Sequence, residues 1–248
     1  MSDITALVKN YNKNNPVINH ISIENKNNKQ LWDDLKEKFF YCEGKNNCIV
    51  NSLGTPRRTK PIDNWDATPN TWLSNFDISN FLQKISTNRI DYIHVGTFTI
   101  DFDERKWGVC VGRFMCAFDP TPFINEGKTK MSFVFNTDVY GGRGIHWIAV
   151  FCDTNKDISF FNSNGVLRQE RVPQSIQRFM NKIQKKLKIK KYIKCKRLQS
   201  SNSECGMFCI WYILTRLSGK NHRECMKDNV TDEQMMTMRK KLFDVQSK

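Results

Sequence analysis

From Met207 to Leu214 the chain reads Met-Phe-Cys-Ile-Trp-Tyr-Ile-Leu, and the apolar run continues to Leu217 with Thr215 and Arg216 as its polar members. A helix that is apolar all round must be enclosed on every side, so the rest of the fold has to wrap around this segment. Directly ahead of it stands Gln199-Ser200-Ser201-Asn202-Ser203-Glu204-Cys205-Gly206, which puts Cys205 at the mouth of the helix. The unpaired N–H groups and partial positive charge of a helix start stabilise a thiolate and any oxyanion formed beside it. Taken alone, the segment is better explained as a core helix with two packing cysteines, Cys205 and Cys209.

The residues that favour chemistry lie upstream. Gly144-Ile145-His146-Trp147-Ile148-Ala149-Val150-Phe151 is an apolar run headed by a histidine, and Asp153-Thr154-Asn155-Lys156 follows as a turn. Ile158-Ser159-Phe160-Phe161-Asn162-Ser163-Asn164-Gly165 then reads as a second strand, so the two form a hairpin. A two-residue loop at Thr154-Asn155 sets His146 opposite Ser163; a three-residue loop centred on Thr154 sets it opposite Asn162. In either register an imidazole and a carboxamide meet at one end of the hairpin. With Cys205 they supply a nucleophile, a base to activate it and a side chain to fix the base's tautomer.

The order His-Trp, then Phe-Phe-Asn-Ser-x-Gly, then Gln-x5-Cys-Gly-Met-Phe resembles the cysteine peptidases that include the SUMO-specific Ulp proteases, adenovirus adenain and the polyprotein protease of African swine fever virus. The resemblance covers roughly residues 69 to 218 and rests on four elements in the right order. Asn162 stands where the SUMO proteases commonly carry Asp, as it does in the swine fever virus enzyme, which shifts the resemblance towards viral maturation proteases. An amide can orient an imidazole but cannot stabilise imidazolium as a carboxylate does. Thr71-Trp72-Leu73-Ser74 is similar to the segment that opens the catalytic domain of Ulp-type enzymes.

The resemblance implies Cys205 as nucleophile, His146 as base and then acid, Asn162 as its orienting residue, and Gln199 with the Cys205 N–H as oxyanion donors. Asn202 is the rival donor. Trp147, Trp72 and Gly206 are the expected substrate contacts, although core packing explains Trp147 as well. The implied reaction is cleavage at Gly-Gly-x sites in viral structural polyproteins, within the virion and the host cytoplasm. Two alternatives are an isopeptidase of SUMO or ubiquitin and a basic nucleic-acid-binding protein on an inactive protease fold. Gly141-Gly142-Arg143-Gly144 resembles a Gly-Gly site, but reads as the turn that leads into the histidine strand.

At 248 residues and 39% hydrophobic content the chain has enough for one good-sized core with a smaller appendage. Asn and Lys dominate residues 9 to 29, and residues 55 to 69 form a proline-bearing connector. The expected layout is a mainly helical arm and linker over 1–68 and a catalytic core over 69–248. No run of 18 apolar residues occurs, so no membrane span is expected, and the residues Met1 to Thr5 lead to the expectation of no signal peptide. Nine cysteines at irregular spacing point to a reduced intracellular compartment.

The net charge is +14, and much of it lies in Lys182 to Arg197. Lys185, Lys186, Lys188, Lys190, Lys191, Lys194, Lys196 and Arg197 form either a solvated basic face or a polyanion site. The resemblance leaves room for activation by DNA or a peptide; no other cofactor is expected. No metal is expected at Cys205 and Cys209 or at Cys110 and Cys116, which lack partner pairs at zinc-site spacing. His20, His94 and His222 read as loop or surface histidines. Residues 92 to 103 and 109 to 118 read as strands of the sheet that receives the hairpin, and residues 173–188 and 231–243 as helices. The expected fold class is α+β: an Ulp/adenain-like core with a central mixed sheet and a buried helix carrying the nucleophile.

Overall fold

The structure is a computed structural model that describes residues 4–13, 21–38, 71–168 and 171–243. Two helices, α1 (Ile4–Lys13) and α2 (Asn28–Lys38), share a small cluster of Val8, Tyr11, Ile21, Leu31 and Leu35. The connector over 55–69 and the boundary at residue 68 lie outside the described residues.

Helix α3 (Asn75–Thr87) begins at a capping box: Ser74 Oγ accepts from Asp77 N, and Asp77 returns the bond to Ser74 N. Strand β1 (Tyr92–Thr99) follows. A small ribbon of β2 (Arg105–Lys106) and β3 (Val109–Cys110) stands apart from the main sheet. A 3₁₀ turn at Met115–Ala117 and helix α4 (Thr121–Asn125) complete this excursion. Residues 109 to 118 therefore add no strand to the main sheet, contrary to the sequence reading; their apolar members fold back as a turn instead. Cys110 and Cys116 are joined as a disulfide, which departs from the reduced state expected of the cysteines. The chain reversal between them brings two residues of sequence separation 6 within a Cα–Cα distance of 6.0 Å, a reach suited to a bridge.

Four further strands complete the sheet: β4 (Lys130–Asn136), β5 (Trp147–Asp153), β6 (Asp157–Phe161) and β7 (Lys190–Tyr192), the last following helix α5 (Gln174–Leu187). The order is β1-β4-β5-β6-β7, with the two outer pairings parallel and the two inner ones antiparallel. The sheet is mixed, as expected, and β4, which the sequence reading passed over, lies inside it.

Strand β5 is buried along its whole length because both faces are covered. Trp147, Ala149 and Phe151 pack on α6 (Cys205–Leu217), while Ile148, Val150 and Cys152 face α5 through Ile176, Phe179, Met180 and Ile183. Helix α6 is enclosed by the sheet, by α3 and by α8 (Asp232–Leu242), with α7 (His222–Cys225) close by. Arg89 Nη1 caps its end by donating to Leu217 O at 2.8 Å.

Arg216 ties α6 to β6 through Asp157 at 2.9 Å and Ser159 Oγ at 2.6 Å. Tyr212 OH donates to the same Ser159 Oγ and meets His222 Nδ1 at 2.8 Å. His222 and His94 are thus buried parts of polar networks, where the sequence suggested surface positions. Each imidazole is wanted inside because hydroxyls converge on it: His94 Nδ1 lies 2.9 Å from Ser132 Oγ, which also contacts Tyr92 OH.

The hairpin loop is Thr154-Asn155-Lys156, since Asp153 pairs with Asp157 and Ala149 with Phe161. Continued beyond the Ala149–Phe161 pair, this register places His146 level with Asn164, neither of the two registers expected. Parity survives the change. Asn162 lies two residues from Asn164 and so shares the face of His146 as a diagonal neighbour.

Candidate active site

His146 immediately precedes β5, at the end of a tied-off loop. Asn136 Oδ1 accepts from the N–H groups of Asp138 and Ile145, Asp138 Oδ2 accepts from Gly144 N, and Thr137 N donates to His146 O at 2.8 Å. Gly144 adopts φ +86° within this loop, a conformation that glycine reaches without strain. Residues 141–144 thus form the turn that the sequence indicated.

His146 Nε2 lies 2.9 Å from Asn162 Oδ1. An amide oxygen only accepts, so Nε2 carries the proton and Nδ1 keeps a lone pair for use as a base. Asn164 Nδ2 stands 3.5 Å from the same Nε2, a second carboxamide beside the ring that sequence reasoning missed; its signal was the spacing of two in Asn162-Ser163-Asn164.

Cys205 is the first residue of α6 and only 1% exposed. The backbone N–H groups of Trp147, Gly206 and Cys205 itself pull the thiol's pKa down. Burial nevertheless pushes the thiol up, and these N–H groups only partly offset it. Burial likewise holds His146 below the usual histidine range, against the pull of Asn162. Both shifts run against the thiolate that a helix start favours.

Gln199 is 2% exposed. Its Oε1 accepts from Ser163 Oγ at 2.6 Å and its Nε2 donates to Ser201 O at 2.8 Å. The backbone beneath it is pinned as well, since Leu198 N and Gln199 N both donate to Ser163 O. The Lys190–Tyr192 strand stops well short of this residue, so a loop, not a strand, delivers it. Asn202 is exposed.

Trp147 is buried, and its indole Nε1 donates to Leu73 O at 2.9 Å. Trp72 remains 39% exposed. A Cβ on Gly206 would come within 3.1 Å of Leu73 Cβ and 3.3 Å of Ile78 Cδ1, so this glycine permits close approach of α6 to the 71–73 segment. Of the basic series, Lys185, Lys186, Lys188, Lys190, Lys194, Lys196 and Arg197 are exposed and Lys191 is half-buried. Part of that series is engaged internally: Lys186 pairs with Asp119 at 2.7 Å, Lys191 donates to Asn181, and Lys196 donates to Asn229. Among the described residues no group of three or more His, Cys, Asp or Glu side chains is placed to hold a metal ion. Among them, too, no helix is long and apolar enough to cross a membrane.

A cysteine at the start of a buried helix and a histidine that heads a sheet strand and meets a carboxamide are the side-chain types that thiol protease chemistry uses. The chain belongs to the family of the SUMO-1 cysteine protease of African swine fever virus, to which it is 35% identical over 190 residues, spanning 70% of this chain and 68% of that protein. It is a cysteine protease. No family model matches the chain. The fold is that of the crystallised African swine fever virus protease, with a TM-score of 0.61 at 22% identity over 98% of this chain and 88% of that one. The C-terminal Ulp1 protease domain, solved in complex with the yeast orthologue of SUMO, matches with a TM-score of 0.50 at 15% identity over 90% of this chain and 95% of that one.

Proposed function

We propose that Cys205, His146, Asn162 and Gln199 form the catalytic site of an endopeptidase that cuts structural precursor polyproteins at Gly-Gly-x sequences. The observation that carries this reading is the 2.9 Å contact of His146 Nε2 with Asn162 Oδ1, which leaves Nδ1 as the basic atom of the ring. The Cys205 thiol gives its proton to His146 Nδ1 as sulfur bonds to the scissile carbonyl carbon. The oxyanion receives hydrogen bonds from the Cys205 N–H and from the second Nε2 hydrogen of Gln199. Collapse breaks the C–N bond, and the leaving amine takes the proton from His146. Water, deprotonated by the same imidazole, then hydrolyses the thioester.

The Gly-Gly preference and the viral precursor substrate rest on the family resemblance. The SUMO in the names of the relatives favours the alternative of an isopeptidase. The test is a panel of a Gly-Gly-x precursor peptide, the same peptide with Ala-Ala-x, and SUMO and ubiquitin fusions. Cleavage of the first alone supports the reading, and faster cleavage of a fusion overturns it in favour of the isopeptidase. If Cys205→Ala cleaves as well as wild type, the site assignment itself is wrong.

The exposed lysines from Lys185 to Lys196 and Arg197 support a second, ancillary reading: a polyanion contact that concentrates the enzyme on nucleic acid without taking part in the chemistry. No cofactor is needed for the reaction written above.

A further inference from the structure

Immediately behind the nucleophile lies a charged pair that the reaction does not use. Glu204 and Arg239 are both fully buried, and Arg239 Nη1 donates to Glu204 Oε1 at 3.3 Å. A buried ion pair is rarely the most stabilising choice, because apolar residues of the same volume often serve as well. A carboxylate next to the catalytic thiol is also awkward, since its charge opposes thiolate formation from the adjoining residue.

The guanidinium does more than neutralise Glu204. Its Nη2 donates to the carbonyl of Thr71. Two residues further on, Leu73 O accepts from Trp147 Nε1 at 2.9 Å, and the Leu73 side chain packs on Gly206. The 71–73 segment therefore touches both halves of the site: the strand headed by His146 and the helix that starts at Cys205. A side chain from α8, far along the sequence, holds that segment and the residue before the nucleophile with one planar fork.

We propose that Arg239 is a positioning residue for the proteolytic reaction, fixing the Cys205 helix start against the Thr71–Leu73 segment and cancelling the Glu204 charge beside the thiol. The proposal rests on Cys205 being the nucleophile. The charged and titratable groups that face this centre are Glu204 and Cys209 on α6 or at its start, Asp77 on α3, Arg239 and Asp232 on α8, and His146. Arg239 is the cation of this set, apart from the imidazole when it is protonated.

The test follows alkylation of Cys205 by iodoacetamide against pH, read by mass spectrometry of its peptide, together with kcat, KM and the thermal midpoint. Arg239→Met should raise the pH midpoint of alkylation by about one unit and lower kcat roughly tenfold with little change in KM. Arg239→Lys keeps the charge but loses the fork, so the midpoint should stay while kcat falls. The neutral double variant Glu204→Gln with Arg239→Met should restore the midpoint and leave kcat low, because the bond to Thr71 is still missing; it also serves where Arg239→Met alone does not fold.

A lowered thermal midpoint with alkylation and kcat unchanged in these variants would reduce the pair to a structural one. Wild-type Cys205 that resists alkylation, or a Cys205→Ala variant that still cleaves, would remove the catalytic assignment and this proposal with it. Normal wild-type labelling with no response in the Arg239 variants would remove the proposal alone.

Discussion

The hydroxyl of Ser163 donates to Gln199 Oε1 at 2.6 Å, which couples the residue after Asn162 to the amide proposed to stabilise the oxyanion. Both side chains are buried. With Oε1 held by Ser163 and one Nε2 hydrogen held by Ser201 O, the direction of the second Nε2 hydrogen is set before substrate arrives. Preorganisation of this kind is what makes such a donor effective.

Ser163→Ala should accordingly lower kcat by about tenfold with KM nearly unchanged, and Gln199→Ala should lower it by about a hundredfold. Steady-state kinetics on the Gly-Gly-x peptide provide the measurement. An effect confined to KM would mean that Gln199 binds substrate and not the transition state, and a larger loss with Asn202→Ala would move the oxyanion donor to that residue.

His146→Ala should abolish turnover, whereas Asn162→Ala should retain activity. Asn164 Nδ2 already stands 3.5 Å from the imidazole, and modest rotation of this exposed amide can present its oxygen to Nε2. The double variant Asn162→Ala with Asn164→Ala should then lose at least about tenfold more than the product of the two single losses. Equal and complete loss from Asn162→Ala alone would show that no second group can hold the ring.

The pH dependence of stability follows from the buried histidines. Burial depresses the folded-state value of His94 from 6.5 to about 3, and lowers His146 and His222 as well. Groups depressed on folding contribute stability that is present above the unfolded value and is lost as pH falls. For His94, between about pH 6.5 and pH 3 the unfolded chain binds a proton that the folded chain refuses, which adds a slope of up to about 1.4 kcal/mol per pH unit; His146 and His222 act in the same direction. Urea unfolding across this range should show stability falling with acid, and His94→Gln should flatten the slope. An unchanged slope would mean that His94 is protonated in the folded protein.

The basic face makes a separable prediction. Affinity for duplex DNA, measured by fluorescence anisotropy, should fall steeply with salt, and Lys188→Gln with Lys190→Gln and Lys194→Gln should reduce the log–log slope by roughly 0.9 for each phosphate that is no longer neutralised. Peptide cleavage without DNA should not change in that variant. A slope identical to wild type would leave these lysines as a solvated surface.

The positions of Cys205 heading an apolar helix and His146 heading an apolar strand were legible in sequence, as was the α+β class. These are local signals, set by the periodicity of neighbouring residues and by the short range of a hairpin. The unanticipated features depend on distant pairings. Strand β4 enters the sheet between β1 and β5, and nothing in its own residues names those neighbours. The Asn164 amide was brought level with His146 only by the observed register, in which the hairpin loop is centred on Asn155; of the two expected registers, the one that set His146 opposite Ser163 would have put both asparagines on the other face.

Charge balance was the least legible part. A helix start favours a thiolate, so Cys205 read as an activated nucleophile, yet burial, with the Glu204 charge adding to it, pushes its thiol up. Composition along the chain determined which chemical groups exist and which segments must be buried. Tertiary structure alone decided the dielectric around them and the partners they meet, as Arg239 meets Glu204 across 35 residues and Thr71 across 168, because desolvation and Coulomb energy depend on distance in space and not along the chain.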